Sequence, residues 1–321
     1  MQVANDIVQI QLPLPFPLKI VNCYALRDGT GWTIVDTGIH YPPGEAAWRA
    51  AFAAHGIDPA DIARIVLTHA DPDHCGMAGW LAEIGGAPVL LAPGEAAFAQ
   101  QVWFDGETNE RTSTAFFRAH GMPAELADQL RASMAENRSM TPPLPRALTP
   151  LEPGSTLQIG ARVFEAIATP GHSREHLVFY CADERLMLCG DAVLNKITPN
   201  VSRWPDGHLN PLADFLDSLA RLGELDVDLA LPGHGPLITT FRQRLGELRQ
   251  HHDERLDAIE AAAGDGATAF AVCQEIFPTS ALSPHQLRFA IAETLAHLEY
   301  LAFAGRVERL EQPQLMYRRM Q

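Results

Sequence analysis

The chain has 321 residues, 47% of them hydrophobic, which is enough for one large and one small domain with buried cores. Its 39 acidic against 24 basic residues give a net charge of −15, which disfavours phosphate backbones and anionic lipid heads, and no Lys/Arg cluster offsets it. Five cysteines (Cys23, Cys75, Cys181, Cys189, Cys273) stand in no CxxC spacing, the pattern of free thiols in a reducing compartment. The first residues lack the basic and apolar regions of a signal peptide, and no apolar run reaches the length of a membrane span, so the expected location is the cytoplasm.

Residues 1–92 alternate β-like runs with turns and helical stretches. The expected strands are Ile7–Leu12, Thr33–Asp36, Arg64–Thr68 and Pro88–Leu91, and the expected helices are Pro43–His55 and Gly76–Ile84. Residues 93–148 turn helical and carry Trp103, Phe104, Phe116 and Phe117, and the proline-rich TPPLPRALTP at 141–150 breaks that pattern. Short strands return at Thr156–Ile159, Arg162–Ala168, Leu177–Cys181, Leu186–Cys189 and Leu229–Leu231. From residue 241 the pattern is helical, over Thr240–Ala262, Ala267–Phe277 and Ser283–Ala304. Ser283 and Pro284 read as N-cap and first helical residue, Gly305 stops the helix, and RVERLEQPQLMYRR reads as two short strands. Helix, helix and hairpin is a winged-helix layout. The expected division is therefore 1–240, with a helical insert at 93–148, and a C-terminal domain at 241–321.

The chemistry concentrates in Thr68-His69-Ala70-Asp71-Pro72-Asp73-His74. A strand ends at Thr68 and a helix begins near Gly76, so a tight loop between fixed ends aims two His and two Asp at one point. Imidazole with carboxylate suits zinc, iron or manganese. Three further strand ends each deliver one ligand-type residue beside glycine: Gly171-His172, Gly190-Asp191 and Gly233-His234-Gly235. A lone His after a strand is ordinarily a surface residue. One His/Asp quartet followed by three such strand ends is not an ordinary accident, and strand ends are where sites gather in α/β sheets.

The order and local sequence of these residues resemble the metallo-β-lactamase superfamily, whose first motif, His-x-His-x-Asp-His, stands here as His69-Ala70-Asp71-Pro72-Asp73-His74. His172, Asp191 and His234 match the later ligands, and Asp36-Thr37-Gly38 matches the strand-end Asp-x-Gly that supports the first motif. The resemblance covers about residues 5–240; the tail is similar to the winged-helix appendage of the lactamase-β-2-like hydrolases. It implies an α/β fold, an αββα sandwich with a C-terminal helical, winged-helix domain. It also implies two divalent metal ions per chain, zinc first, with iron or manganese as alternatives. Carried over, one site holds His69, Asp71 and His172, the other Asp73, His74 and His234, and Asp191 bridges them. Asp71 stands where the family commonly has His; as a hard oxygen ligand it shifts preference towards iron or manganese, and if it does not bind, the first site is weak.

The resemblance implies hydrolysis of an ester, thioester or lactone by a metal-bound hydroxide, with Asp73 orienting the nucleophile or moving a proton. A di-iron redox enzyme and a metal-dependent nuclease or phosphodiesterase are the alternatives. Against them stand the absence of a flavodoxin-like partner domain and the acidic charge. Cys75 reads as a packed thiol rather than a nucleophile. Trp103, Phe104, Asn195, Lys196 and Trp204 are the candidates to touch substrate; Phe116 and Phe117 form either an apolar wall or the insert's own core. The expected partner is a small-molecule substrate, with no nucleic acid or membrane, and the apolar helix at 284–304 could support a homodimer.

Overall fold

The computed structural model describes residues 1–103, 105–140, 144–145, 147–311 and 314–320. Seven strands pair in sequence order in a first sheet: Gln2–Ala4, Ile7–Pro13, Ile20–Asp28, Gly31–Val35, Ile62–Val66, Val89–Leu91 and Thr149–Pro150. The first four are antiparallel neighbours. From Gly31–Val35 onward the pairing is parallel, because helices intervene in the chain between successive strands. A second sheet runs in the order Leu229–Pro232, Leu186–Gly190, Leu177–Cys181, Arg162–Ala168, Thr156–Ile159, with only the first pair parallel.

The alternation of side chains along the strands fixes how these sheets pack. Phe164 and Ala166 point inward while Val163 and Glu165, which alternate with them, are exposed. Ile7, Leu26, Val35 and Val66 of the first sheet meet Phe164, Leu177, Phe179, Leu188 and Leu231 of the second in one apolar layer. On its opposite face the first sheet presents Ile10, Leu12, Ile34, Ile65 and Leu67 to Trp48 and Phe52 of helix Pro42–His55 and to Leu81 of helix Ala78–Gly85.

The chain divides into two compact units that are not contiguous in sequence. One comprises Met1–Phe104, Ser139–Pro199 and Gly223–Arg244; the other comprises Asp105–Arg138, Asn200–Leu222 and Leu245–Gln321. The expected insert is thus shared: helix Pro93–Trp103 lies in the first unit, Gly106–Ala119 in the second. Helix Phe241–Ala263 starts at the expected boundary, and its first turn still belongs to the first unit.

In the second unit, helix Pro284–Phe303 opens with a capping box. Ser283 accepts from the Gln286 amide, and the Gln286 side chain accepts from the Ser283 amide. Leu287, Ile291, Leu295, Leu298 and Leu301 are all buried. Gly305, at φ +69°, adopts the left-handed conformation that ends the helix. Strands Val307–Leu310 and Met316–Arg319 form the terminal hairpin, although Gln312 and Pro313 of its expected turn lie outside the described residues. Among the described residues no helix is long and apolar enough to cross a membrane.

Among the elements beyond the sequence reading, three are longer or better placed to matter than the short strand Gln2–Ala4. Ile20–Asp28 is buried on both faces from Val21 to Leu26, so it lacks the two-residue alternation that marks a half-exposed strand. Pro211–Leu222 buries Leu212, Phe215, Leu216, Leu219 and Leu222 on one face, yet follows a stretch rich in Pro and Gly. Thr149–Pro150 is a two-residue edge strand inside the proline-rich tract, a place where proline is tolerated.

Candidate metal centre

Five strand ends converge at one end of the first unit. Gly31–Val35 and Ile62–Val66 run parallel and deliver Asp36 and Thr68-His69 side by side. In the second sheet, Arg162–Ala168, Leu186–Gly190 and Leu229–Pro232 share a direction, so His172, Asp191 and His234 emerge at the same edge. Polar staples lock the two sheets together there. The Asn22 amide group donates to the carbonyls of Pro232 (3.0 Å) and Gly235 (2.9 Å), the Tyr24 hydroxyl donates to Pro232 (2.8 Å), and the Leu177 amide donates to Thr68 (2.9 Å). A buried backbone carbonyl must find a donor, and these contacts supply one where the strands stop.

His69, Asp71 and His172 form one group, Asp73, His74 and His234 a second, and His69, His74 and Asp191 a third between them. In each group the candidate ligand atoms lie within 4.8 Å of one another. Individual separations are 3.7 Å for His69 Nε2 to Asp71, 3.5 Å for His172 Nε2 to Asp71, and 3.3 Å for His234 Nε2 to Asp73. Asp191 stands 3.5 Å from the Nε2 atoms of both His74 and His234 and 3.9 Å from that of His172. Two ligands each ~2.0–2.1 Å from a tetrahedral ion stand ~3.3 Å apart, so the separations of 3.3–3.5 Å are close to those of ligands sharing a cation, and those of 3.7 and 3.9 Å are somewhat longer.

The remaining ring nitrogens are already committed. His74 Nδ1 pairs with Asp36 (2.8 Å), His234 Nδ1 with the Ile20 carbonyl (2.8 Å), and His69 Nδ1 with the Thr68 hydroxyl (2.9 Å). Thr68 in turn donates to Asp36 through both its amide (2.9 Å) and its hydroxyl (2.8 Å). The Nε2 atoms of His69, His74 and His234, and Oδ1 of Asp191, are buried with no hydrogen-bond partner among the described residues. Buried polar atoms are costly to leave so, and all of these face the same point. Gly233 completes the cradle: a Cβ there would sit 2.3 Å from Asp191 Oδ1 and 2.6 Å from His74 Cε1. Orphaned nitrogens, three carboxylates and a cleared volume fit a divalent cation.

Without a cation, the carboxylates and imidazoles hold one another charged. Burial works against the Asp191 carboxylate, yet His234, His74 and His172 hold it well below the usual range. Burial likewise opposes the His74 imidazolium, but Asp191 and Asp36 raise its pKa well above normal. Asp71 caps the short helix Pro72–Cys75 only with its backbone; its side chain, 36% exposed, turns to His69 and His172 instead. The buried Cys75 thiol is pushed up by desolvation and then by Asp71 and Asp73, and it donates to the Ala70 carbonyl, so it stays protonated.

Comparison with known proteins accords with this geometry. The family model of the metallo-beta-lactamase superfamily matches residues 17–234. The chain belongs to that superfamily. A second model, the metallo-beta-lactamase-like C-terminal domain, matches residues 256–320. A metallo-beta-lactamase family protein of Thermus thermophilus is 35% identical with a TM-score of 0.89, over 99% of this chain and 100% of that one. A probable metallo-hydrolase of Bacillus subtilis is 26% identical over 93% of this chain and 92% of its own length. An atrochrysone carboxyl ACP thioesterase of Aspergillus fumigatus is 23% identical over 73% of this chain, which spans only 56% of that enzyme. A chain crystallised in a di-iron-bound form is 26% identical with a TM-score of 0.50, over 75% of this chain and 96% of that one. The fold class is therefore the α/β sandwich of the superfamily with its C-terminal domain.

Within this superfamily site, two residues matter that the sequence reading passed over. His176 is fully buried; its Nδ1 meets the Thr169 hydroxyl (2.9 Å) and its Nε2 accepts from the Asp191 amide (3.1 Å). Burial, then His69 and His172, hold its pKa well below normal, which keeps Nε2 an acceptor. Glu95 is also fully buried, and its carboxylate accepts from the amides of Ala70 (2.9 Å) and Glu175 (2.8 Å), tying the first motif to the His172 loop.

The candidate substrate contacts separate. Asn195 donates to the Leu237 carbonyl (2.7 Å) and Lys196 is exposed, both in the first unit. Trp204 lies in the second unit, 6.1 Å from both the Phe117 and Phe289 rings. Phe117 is wholly buried, so it belongs to the core of its own unit rather than to an exposed wall. Phe104 and the Trp103 side chain lie outside the described residues.

Asp36 offers a test of the supporting contacts. Asp36→Asn keeps the shape but removes the charge that faces His74 Nδ1. Metal affinity is expected to fall ~10–100-fold, read by competition with a chromogenic chelator. Unchanged affinity would show that Asp36 only closes the strand end.

Proposed function

We propose that the protein is a metal-dependent hydrolase holding two divalent cations, zinc first, and acting on an ester, thioester or lactone of a small molecule. The observation that carries this reading is the pair of ligand groups, His69/Asp71/His172 and Asp73/His74/His234, on either side of Asp191. Bound ions would supply Lewis acidity and bring the pKa of a coordinated water towards neutrality. The chain's own contribution is orientation. Asp36, Thr68 and the Ile20 carbonyl fix the histidine rings with Nε2 inward, and His176 fixes the Asp191 backbone. Asp73, 3.3 Å from His234, would hold the attacking water and take its proton. The metallo-hydrolase and thioesterase names of the relatives support acyl transfer to water. The di-iron form of one structural neighbour, with the hard Asp71 ligand, supports iron as an alternative to zinc. The helices and hairpin after residue 256 support the winged-helix reading of the tail.

Elemental mass spectrometry on protein grown with zinc, iron or manganese, followed by a panel of esters, thioesters and lactones, tests the proposal. About two ions per chain and turnover abolished by chelation are expected. Two irons with oxygen consumption and no acyl hydrolysis would replace it with the redox reading, and metal-dependent cleavage of RNA alone would replace it with the nuclease reading.

A further inference from the structure

The second unit contains a buried arginine whose guanidinium the described residues do not fully satisfy. Arg203 is 9% exposed, and its Nη1 is buried without a hydrogen-bond partner among the described residues. Its guanidinium lies 5.5 Å from the centre of the Phe116 ring. His120 packs against the same ring, with centroids 4.6 Å apart; it is 2% exposed, and its Nδ1 is likewise buried without a partner among the described residues. Tyr317 stacks on His120, the ring centres 6.1 Å apart and the planes within 15°. Of the carboxylates whose charge reaches Arg203, Glu299 is already engaged by the Tyr317 hydroxyl (2.6 Å) and by Arg309 (3.6 Å), and Asp206 acts more weakly than Glu299.

An arginine cannot shed its proton to escape such a setting, so its buried charge calls for an acceptor. The charges that reach His120 are positive, whereas at Arg203 Glu299 acts more strongly than Arg309. Burial lowers the pKa of His120 to about 4, and the cations Arg309 and Arg203 act in the same direction. The segment is also held in place. The Arg203 amide donates to the Ala292 carbonyl (2.9 Å), Asn200 donates to Glu293 (3.1 Å) and accepts from Ser202, and Trp204 is packed against Phe117 and Phe289. A fixed guanidinium loses little freedom when it binds.

We propose that Arg203 and His120, seated against Phe116, form a binding site for an oxyanion, carboxylate or phosphate. Arg203 would supply the charge-assisted hydrogen bonds, and neutral His120 a further donor or acceptor. The oxyanion is either free in solution or the end of an organic molecule, whose apolar body would pack against the Phe116 ring.

The site can be tested without reference to turnover. Titration calorimetry and thermal melting are run on the metal-loaded protein with inorganic phosphate, acetate and hexanoate against chloride at constant ionic strength. Arg203→Met keeps the length of the side chain and removes its charge. It is expected to weaken phosphate or carboxylate binding at least about tenfold, and to melt no lower than wild type when those anions are absent. Hexanoate bound more tightly than acetate would mark the end of an organic molecule; equal affinities would mark a small free anion. No binding by wild type, equal binding by Arg203→Met, or a lower melting point of that variant in chloride would each overturn the proposal. The last of these would mean that the charge is satisfied within the protein. His120→Ala gives an independent reading of the same site: several-fold weaker binding supports it, and wild-type affinity overturns it.

Discussion

Asp191→Ala is expected to lower metal content to one ion per chain or less and to cut kcat/KM by about 10³, or about 4 kcal/mol. The carboxylate is 7% exposed and approaches the Nε2 atoms of His74, His172 and His234, members of both ligand groups. Alanine therefore takes an anionic donor from both positions at once, whereas loss of Asp71 would affect only the group on its own side. Without Asp191, the inward-facing imidazoles of both groups lose the negative charge between them, and two cations would repel across the gap. The fold should persist, because the strand Leu186–Gly190 is held by its neighbours on both sides and the Asp191 amide still donates to His176. The measurements are metal stoichiometry, melting temperature and hydrolysis of the best substrate in the panel. Full metal content with full activity would remove Asp191 from the centre and with it the binuclear arrangement.

Gly233→Ala is the second large effect, and it arises from a single methyl group. Gly233 does not have a positive φ, so alanine is tolerated by the backbone. Space is the obstacle: the new Cβ falls 2.3 Å from Asp191 Oδ1 and 2.6 Å from His74 Cε1. Both contacts are far inside van der Waals distance, and the backbone cannot retreat, since Gly233 donates to the Gly190 carbonyl and accepts from the backbone N–H of Asn22, each at 2.7 Å. The ligands must move instead. A displacement of about 1 Å at a reacting centre costs about 10² in rate, so activity should fall by that order while the melting temperature changes little. An unchanged kcat with unchanged metal affinity would show that Asp191 and His74 have room to shift, and that the close approach of Gly233 is not what shapes the site.

Much of the centre was legible in the sequence because its signals are local. His69, Asp71, Asp73 and His74 are confined to six residues, and His172, Asp191 and His234 each follow an apolar strand and a glycine. Strand, turn and ligand form a short-range pattern, and parallel strands force their ends together. Glu95 and His176 were not legible. Glu95 stands two residues after Pro93, where an acidic residue ordinarily serves the helix start. Its actual partners, the amides of Ala70 and Glu175, lie 25 and 80 residues away. Ile20–Asp28 was missed for a related reason: a strand covered on both faces has no period to detect, although it supplies Ile20, Asn22 and Tyr24 to the staples around His234.

The sequence by itself determined the superfamily, the strand-end placement of the candidate ligands and the capped C-terminal helix, since each depends on residues a few positions apart. Tertiary structure decided the rest. It turned Nε2 of His69, His74 and His234 inward by engaging Nδ1, and it joined residues 105–138 and 200–222 to the tail in one unit. It also buried Arg203 against Phe116, 87 positions earlier in the chain, and left its Nη1 without a hydrogen-bond partner among the described residues. Hydrogen-bond commitment and burial depend on what distant segments bring into contact, and no local pattern of residues carries that information.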